Sequence, residues 1–272
     1  MTRPLLSLLA ATGLLSLTGT ALAIVQPEAG LGLPRDVSTE GYRIDSLIHS
    51  VSPPIILIFL IMVGWMVIAM VKHNRNHKAE YDHGTGHHSV VSALIISSVI
   101  FLGIDGWLFV NSMIDLDEAL WAWPEDAQSL KIEVNAQQWA WGFRYAGPDG
   151  SFNSADDIVT LNDLRVPVDT NVMFRMTAKD VIHSLYLPNL RVKADAIPGN
   201  VTQTWFRAKE TGEFDIGCAQ HCGTHHYAMK GKVTILSKQD YETWHKEQTA
   251  IARVSYDADD IEAHWGWNWE VR

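Results

Sequence analysis

Two nearly unbroken apolar runs, Pro53 to Val71 and Val90 to Val110, restrict the folding of this chain more than any other feature. Inside a bilayer every backbone N–H and C=O must find its partner within the protein, so a single run of this length has only the helix open to it. At about 1.5 Å rise per residue, each run covers a hydrocarbon core of roughly 30 Å. The expectation is a two-helix transmembrane hairpin with spans at about 53–71 and 90–110. The loop between the runs carries Lys72, Arg75 and Lys78, and an excess of Lys and Arg marks the cytoplasmic side. Both outer ends of the hairpin, and everything after it, then face the exported side.

The first residues agree with export. Arg3 is followed by the apolar stretch Leu5 to Leu17 and by Ala21-Leu22-Ala23, which reads as a secretory signal over 1–23 with an A-x-A cleavage site. An uncleaved first helix is the competing reading. Residues 24–120 would then hold an N-terminal segment and the hairpin. A mean hydropathy close to zero fits such a mixture of membrane and soluble parts. The formal net charge of −10 argues against nucleic acid as a partner and favours a basic protein partner, steered by the long-range field; simple solubility is the bland alternative. Asp105 and Asn111, near the end of the second run, suit a buried interhelical bond or an interface at least as well as proton relay. His73, His77, His83, His87 and His88 read as a weakly basic solvated loop rather than a metal site.

From Leu130 the pattern changes to period two. Leu130, Ile132 and Val134 alternate with Lys131, Glu133 and Asn135, and Val172, Phe174 and Met176 repeat the signature. Further short strands are expected near 164–168, 181–187, 192–197, 203–206, 213–217 and 232–236. Gly147-Pro148-Asp149-Gly150, Pro198-Gly199-Asn200 and Thr211-Gly212 separate them as turns. Many short strands at this spacing predict an all-β antiparallel sandwich or barrel over 125–236. Beyond it, 237–272 predicts a helix capped by Ser237, with Asp240 at its third position, and a tail containing Trp265-Gly266-Trp267-Asn268-Trp269. That tail would pack on the domain or on a partner subunit.

The chemistry sits near the end of the β region. Cys218, Cys222, His226 and Met229 stand as C-x3-C-x3-H-x2-M, and the chain has no other cysteine. Thiolate, imidazole and thioether are soft donors that suit copper, so electron transfer is the first hypothesis. Cys222, His226 and Met229 would supply the loop part of a mononuclear blue copper site. Cys218 is one thiolate too many for that, and two sulfurs can bridge two copper ions. Each ion still needs an imidazole; His226 offers one, and His183, in an apolar strand-like segment, is the best placed second. A disulfide and a Cys2His2 zinc site are the competing readings, and the trailing His and Met weigh against both. A four-thiolate cluster is excluded by count. A Greek-key cupredoxin barrel is the all-β architecture that holds copper at one end between loops. No C-x-x-C-H haem attachment motif is present.

The segments Asp180-Val181-Ile182-His183-Ser184, Val192-Lys193-Ala194-Asp195-Ala196-Ile197-Pro198-Gly199 and Gln203-Thr204-Trp205-Phe206, with the Cys218 to Met229 loop, resemble subunit II of cytochrome c oxidase in order and spacing. Gln138-Trp139-Ala140-Trp141-Gly142-Phe143-Arg144-Tyr145 resembles the aromatic segment of the same family, and the hairpin matches too. The resemblance implies a dinuclear copper A centre in which Cys218 and Cys222 bridge both ions and His183 and His226 each ligate one. Met229 and the backbone carbonyl of Gln220 would complete the two ions. It also implies cytochrome c as donor, subunit I and other oxidase subunits as partners, a haem acceptor in subunit I, and Trp139 as the residue through which electrons enter. The expected setting is the bacterial cytoplasmic membrane, lipid around the hairpin and the soluble domain facing the periplasm.

Three departures from the family pattern stand out. Gln220 replaces a Glu whose side chain also binds magnesium at the subunit I interface; a neutral amide lacks the charge that hard cations favour, which puts the magnesium in doubt. Arg144 stands where an acidic residue often helps dock cytochrome c, so a docking charge is expected to be inverted. His87-His88-Ser89 occupies the region where many members carry a Glu at the mouth of a proton pathway. The alternatives to an oxidase subunit are the copper A subunit of a nitric oxide reductase and a non-enzymatic, membrane-anchored copper carrier.

Overall fold

The computed structural model describes residues 33–73, 77, 78, 81, 83–124, 126–257 and 259. The expected signal segment 1–23 and the Trp265–Trp269 tail lie outside the described residues.

Two helices are long and apolar enough to cross a membrane. The first, α1, runs Gly41–Lys72 and so begins well ahead of Pro53; Pro53 and Pro54 lie inside it. The apolar run marked only the lipid-compatible stretch, whereas the helix starts in a polar segment held by ion pairs. The second runs His87–Leu120 as α2 (His87–Ser98), a π segment (Val99–Asp105), α3 (Gly106–Asp115) and a last π segment (Leu116–Leu120). Asp105 falls in the first of these wide turns. The Asn111 amide donates to the Trp107 carbonyl at 2.8 Å, within its own helix.

Ion pairs join the outer ends of the two helices. Arg43 on α1 meets Asp115 at 3.1 Å and Glu118 at 2.9 Å. The β domain is stitched to the same place. Arg191 donates to Asp45 at 2.7 and 3.0 Å, and Val37 bonds backbone to backbone with Asn189 and Lys209. The domain therefore sits at the end of the hairpin opposite Lys72.

That domain is a sandwich of two five-stranded sheets. One contains β1 (Leu130–Gln137), β2 (Ala140–Tyr145), β3 (Ile158–Leu161), β5 (Asn171–Ala178) and β8 (Thr202–Arg207), in the order β3-β2-β1-β5-β8. The other contains β4 (Asp163–Pro167), β6 (His183–Leu187), β7 (Val192–Ala196), β9 (Gly212–Cys218) and β10 (Lys230–Leu236), in the order β4-β10-β9-β6-β7. The sheets are not purely antiparallel, because β1 pairs with β5 and β4 with β10 in parallel, joining strands distant in sequence. Trp141, Phe143, Tyr145, Phe174, Leu185 and Val233 are buried in the core.

The period-two reading of β1 needs correction. Glu133 and Asn135, expected to face water, are 3% and 5% exposed. The β2–β3 connection covers that face. Arg144, the cross-strand neighbour of Glu133, is 0% exposed; its Nε donates to Glu133 at 2.8 Å and its Nη1 to Asn153 Oδ1 at 2.7 Å, and its guanidinium lies over the Phe152 ring. A fully buried guanidinium presents no charge to a docking partner. The expected inversion of a docking charge at Arg144 is therefore overturned: the residue belongs to an internal ion pair.

After β10, α4 (Lys238–Ser255) buries Tyr241 and Trp244 against the sandwich, with the Trp244 ring 5.3 Å from that of Tyr145. Ser237 caps it as expected, its Oγ accepting from the Asp240 N–H at 3.1 Å. Ser237→Ala leaves that N–H to water and should cost about 1 kcal/mol, read as a lower denaturant midpoint with unchanged slope.

Candidate metal centre

One sheet brings the donor residues to one end of the sandwich. His183 opens β6 and Cys218 closes β9, and these strands are neighbours, with Leu185 opposite Cys218 and the Ala219 N–H bonded to the Ser184 carbonyl at 2.9 Å. The β9–β10 connection then carries Gln220, Cys222 and, on a short 3-10 turn, His226. It ends at Met229 just before β10. His183 thus meets donors that lie 35 (218 − 183) to 46 (229 − 183) positions later because β6 and β9 are hydrogen-bonded.

All the expected donors converge. The Sγ atoms of Cys218 and Cys222 are 3.8 Å apart, and Cys222 Sγ lies 3.6 Å from His226 Nδ1 and 3.8 Å from Met229 Sδ. His183 Nδ1 is 3.2 Å from Met229 Sδ, and the Gln220 carbonyl is 3.2 Å from Cys218 Sγ. Ligand atoms of His183, Cys218 and Cys222 lie within 4.8 Å of one another, the one such group among the described residues. Both cysteines are free, at a separation far beyond the roughly 2.05 Å of an S–S bond, which removes the disulfide reading in this state. Six donors, two of them the thiols, exceed the four that a structural zinc ion takes. The soft set of two sulfurs, two imidazoles and a thioether fits copper.

The electrostatics divide the two thiols. Burial pushes the Cys218 thiol up, but bonds from His183 and from the backbone at Ser184 and Gln220 outweigh it and bring it down to about 6. For Cys222, burial and the neighbouring Cys218 act together and push it up to about 12. One thiolate forms readily; the second proton leaves when a metal displaces it.

Around the donors lies a supporting layer that sequence reasoning did not single out. Asp180 accepts from the Gln138 N–H at 2.7 Å and from the Val181 N–H at 2.7 Å, and its Oδ1 is 2.9 Å from His183 Nε2. Burial works against the Asp180 carboxylate, but the bonds from His183, Gln138 and Val181 outweigh it and hold its pKa below the usual carboxylate range. A carboxylate on Nε2 turns the ring so that Nδ1 faces the sulfurs, the orientation a metal-ligating histidine needs. The signal for Asp180 was its place three residues before His183. The Gln138 side chain donates to the Cys222 carbonyl at 2.7 Å, strapping the β1–β2 turn to the cysteine loop.

Trp139 and Trp141 do not share a face. Trp141 is buried in β2 with its ring 6.1 Å from that of His183. Trp139 lies in the β1–β2 turn, half-buried beside the cysteine loop. Gly223, at φ +121°, makes that approach possible: a Cβ there would lie 2.8 Å from Gln138 Nε2 and 3.2 Å from Trp139 Cζ2. The Gln220 side chain is exposed.

Fold and site together define a β-sandwich domain that follows two helices long and apolar enough to cross a membrane and carries, at one end, a cluster of soft donors compatible with copper. Residues 130–236 match the family model described as cytochrome c oxidase subunit II, periplasmic domain. Among curated relatives, the alternative cytochrome c oxidase subunit 2 of Bradyrhizobium diazoefficiens is 34% identical over 151 residues, covering 47% of this chain and 54% of that protein. Cytochrome c oxidase subunit 2 of Thermostichus vulcanus is 39% identical over 126 residues, covering 46% and 36%. The chain thus spans about half or less of the length of these relatives. Among solved structures, the periplasmic domain of subunit II of cytochrome oxidase from Bradyrhizobium japonicum is 28% identical with a TM-score of 0.41, covering 46% of this chain and 97% of that one. Residues 130–236 thus resemble the periplasmic domain of cytochrome c oxidase subunit II and form a cupredoxin-like β-sandwich.

Proposed function

We propose that this chain is the electron-accepting subunit of a haem-copper cytochrome c oxidase, with His183, Cys218, the Gln220 carbonyl, Cys222, His226 and Met229 holding a dinuclear copper A centre. The observation that carries this reading is the convergence of those six donors around two free sulfurs 3.8 Å apart. When bound, the copper pair supplies one-electron relay between cytochrome c and the haem of subunit I, where oxygen is reduced. The chain's own residues hold the donors still. His183 and Cys218 are fixed by paired strands, Asp180 orients His183, and Gln138 ties the loop that carries Cys222. A rigid ligand frame keeps reorganisation small, which favours fast transfer. Trp139, against the cysteine loop, is the residue through which electrons enter. The net acidic charge steers a basic cytochrome c towards the domain. The hairpin anchors the chain in the cytoplasmic membrane beside subunit I, with the domain on the periplasmic side.

Copper content and low-temperature EPR of the full chain test this. The expected result is two coppers per chain and a hyperfine pattern from one electron shared by two copper nuclei. One copper with a single-nucleus pattern, or copper lost rapidly to a mild chelator, would instead point to a carrier. Assays of the purified complex with oxygen and with nitric oxide separate an oxidase from a nitric oxide reductase.

A further inference from the structure

The Trp139 indole lies against the backbone that follows Cys222, yet its Nε1 has no hydrogen-bond partner among the described residues. Its orientation is therefore set by packing. Gly223 supplies one contact, with room only for a hydrogen in place of a side chain. A second comes from His225, two residues further along the same loop, whose ring centroid is 4.5 Å from that of Trp139 with the planes inclined at 53°. His225 is itself exposed, and its Nδ1 lies 3.2 Å from Thr224 Oγ1, which sets the ring's direction. An aromatic contact of this kind adds to what area burial contributes and favours the rotamer of a half-buried indole that keeps it.

We infer that His225 is a positioning residue for electron transfer, clamping the Trp139 indole against the Gly223 backbone so that the ring stays coupled to the cysteine loop. This rests on the role proposed above for Trp139. In the step concerned, one electron leaves a ferrous cytochrome c and reduces the oxidised centre. No bond forms or breaks, no proton moves, and His225 is not oxidised. Its contribution is geometric: electronic coupling falls steeply with distance, and an unclamped indole samples rotamers directed away from the loop.

The clamp is tested first without metal, on the full chain labelled with 5-fluorotryptophan, the Trp139 resonance being identified by its loss in Trp139→Phe. His225→Ala should shift that resonance and enlarge its change between H2O and D2O, whereas His225→Phe, which keeps a ring, should preserve it. In the assembled, copper-loaded oxidase, His225→Ala should slow electron input at saturating cytochrome c several-fold, without changing the half-saturating concentration or the copper EPR signal. His225→Phe should restore the rate. An unmoved fluorine resonance, or an effect on half-saturation alone, would overturn the clamp. Slow transfer in Trp139→Phe but wild-type transfer in His225→Ala would sink this proposal while leaving the role of Trp139 intact. Wild-type transfer in Trp139→Phe would remove that role, and the clamp's function with it.

Discussion

Replacing Cys222 with Ser should bring copper in the purified chain to background and abolish oxidase turnover, with little change in fold. Cys222 is the hub of the centre, within 3.8 Å of the Cys218 and Met229 sulfurs and of His226 Nδ1. Serine has nearly the same shape and position 222 is buried, so the loop should still close. What it lacks is a soft donor: a hydroxyl stays protonated at neutral pH and is hard where the site is soft. Metal analysis, the visible spectrum and turnover report the loss, and an unchanged far-UV circular dichroism spectrum reports the retained fold. Wild-type turnover in this variant would refute the assignment of the centre.

The second large effect concerns stability. Arg144→Met should destabilise the domain by about 3–5 kcal/mol, because it leaves Glu133 buried without its partner. Glu133 and Arg144 are cross-strand neighbours on β1 and β2, 3% and 0% exposed. Burial already raises the Glu133 carboxyl, and Arg144 is the main force opposing that rise. Without Arg144 the folded-state pKa climbs further above the unfolded one, so folding favours the protonated acid. The variant should therefore be least stable above that folded pKa and recover as pH falls through it. Denaturant midpoints at neutral and mildly acidic pH check the sign, and Glu133→Gln combined with Arg144→Met should recover much of the loss. Equal stability of Arg144→Met and wild type at neutral pH would mean that the pair contributes nothing.

Much of the site was legible before the structure because its donors are chemically rare. Two cysteines, three histidines and one methionine within twelve residues leave few chemistries open, and His183 stood out in an apolar segment. Asp180, Gln138 and His225 were not legible, since their residue types are common and their roles depend on which turn faces which loop. The aromatic segment was misleading for the same reason. One unbroken strand would put Trp139 and Trp141, two positions apart, on one face, but β1 ends at Gln137 and the chain turns before β2, so Trp139 stays at the donor end while Trp141 enters the core. β3, only four residues long, left no periodic signal to read.

Local composition settled the two helices long and apolar enough to cross a membrane, the change to short strands after Leu130, the Ser237 cap and the soft-donor loop. Each of these follows from interactions among residues close in the chain: backbone satisfaction in lipid, alternation along a strand, a hydroxyl three residues from an N–H. The tertiary structure alone decided that β1 pairs with β5 and β4 with β10 in parallel, that Glu133 and Arg144 lie inside, and that His183 faces Met229 and the cysteines. Those outcomes depend on which strands share a sheet and which loop covers which face, and such long-range choices are made by the packing of the whole domain.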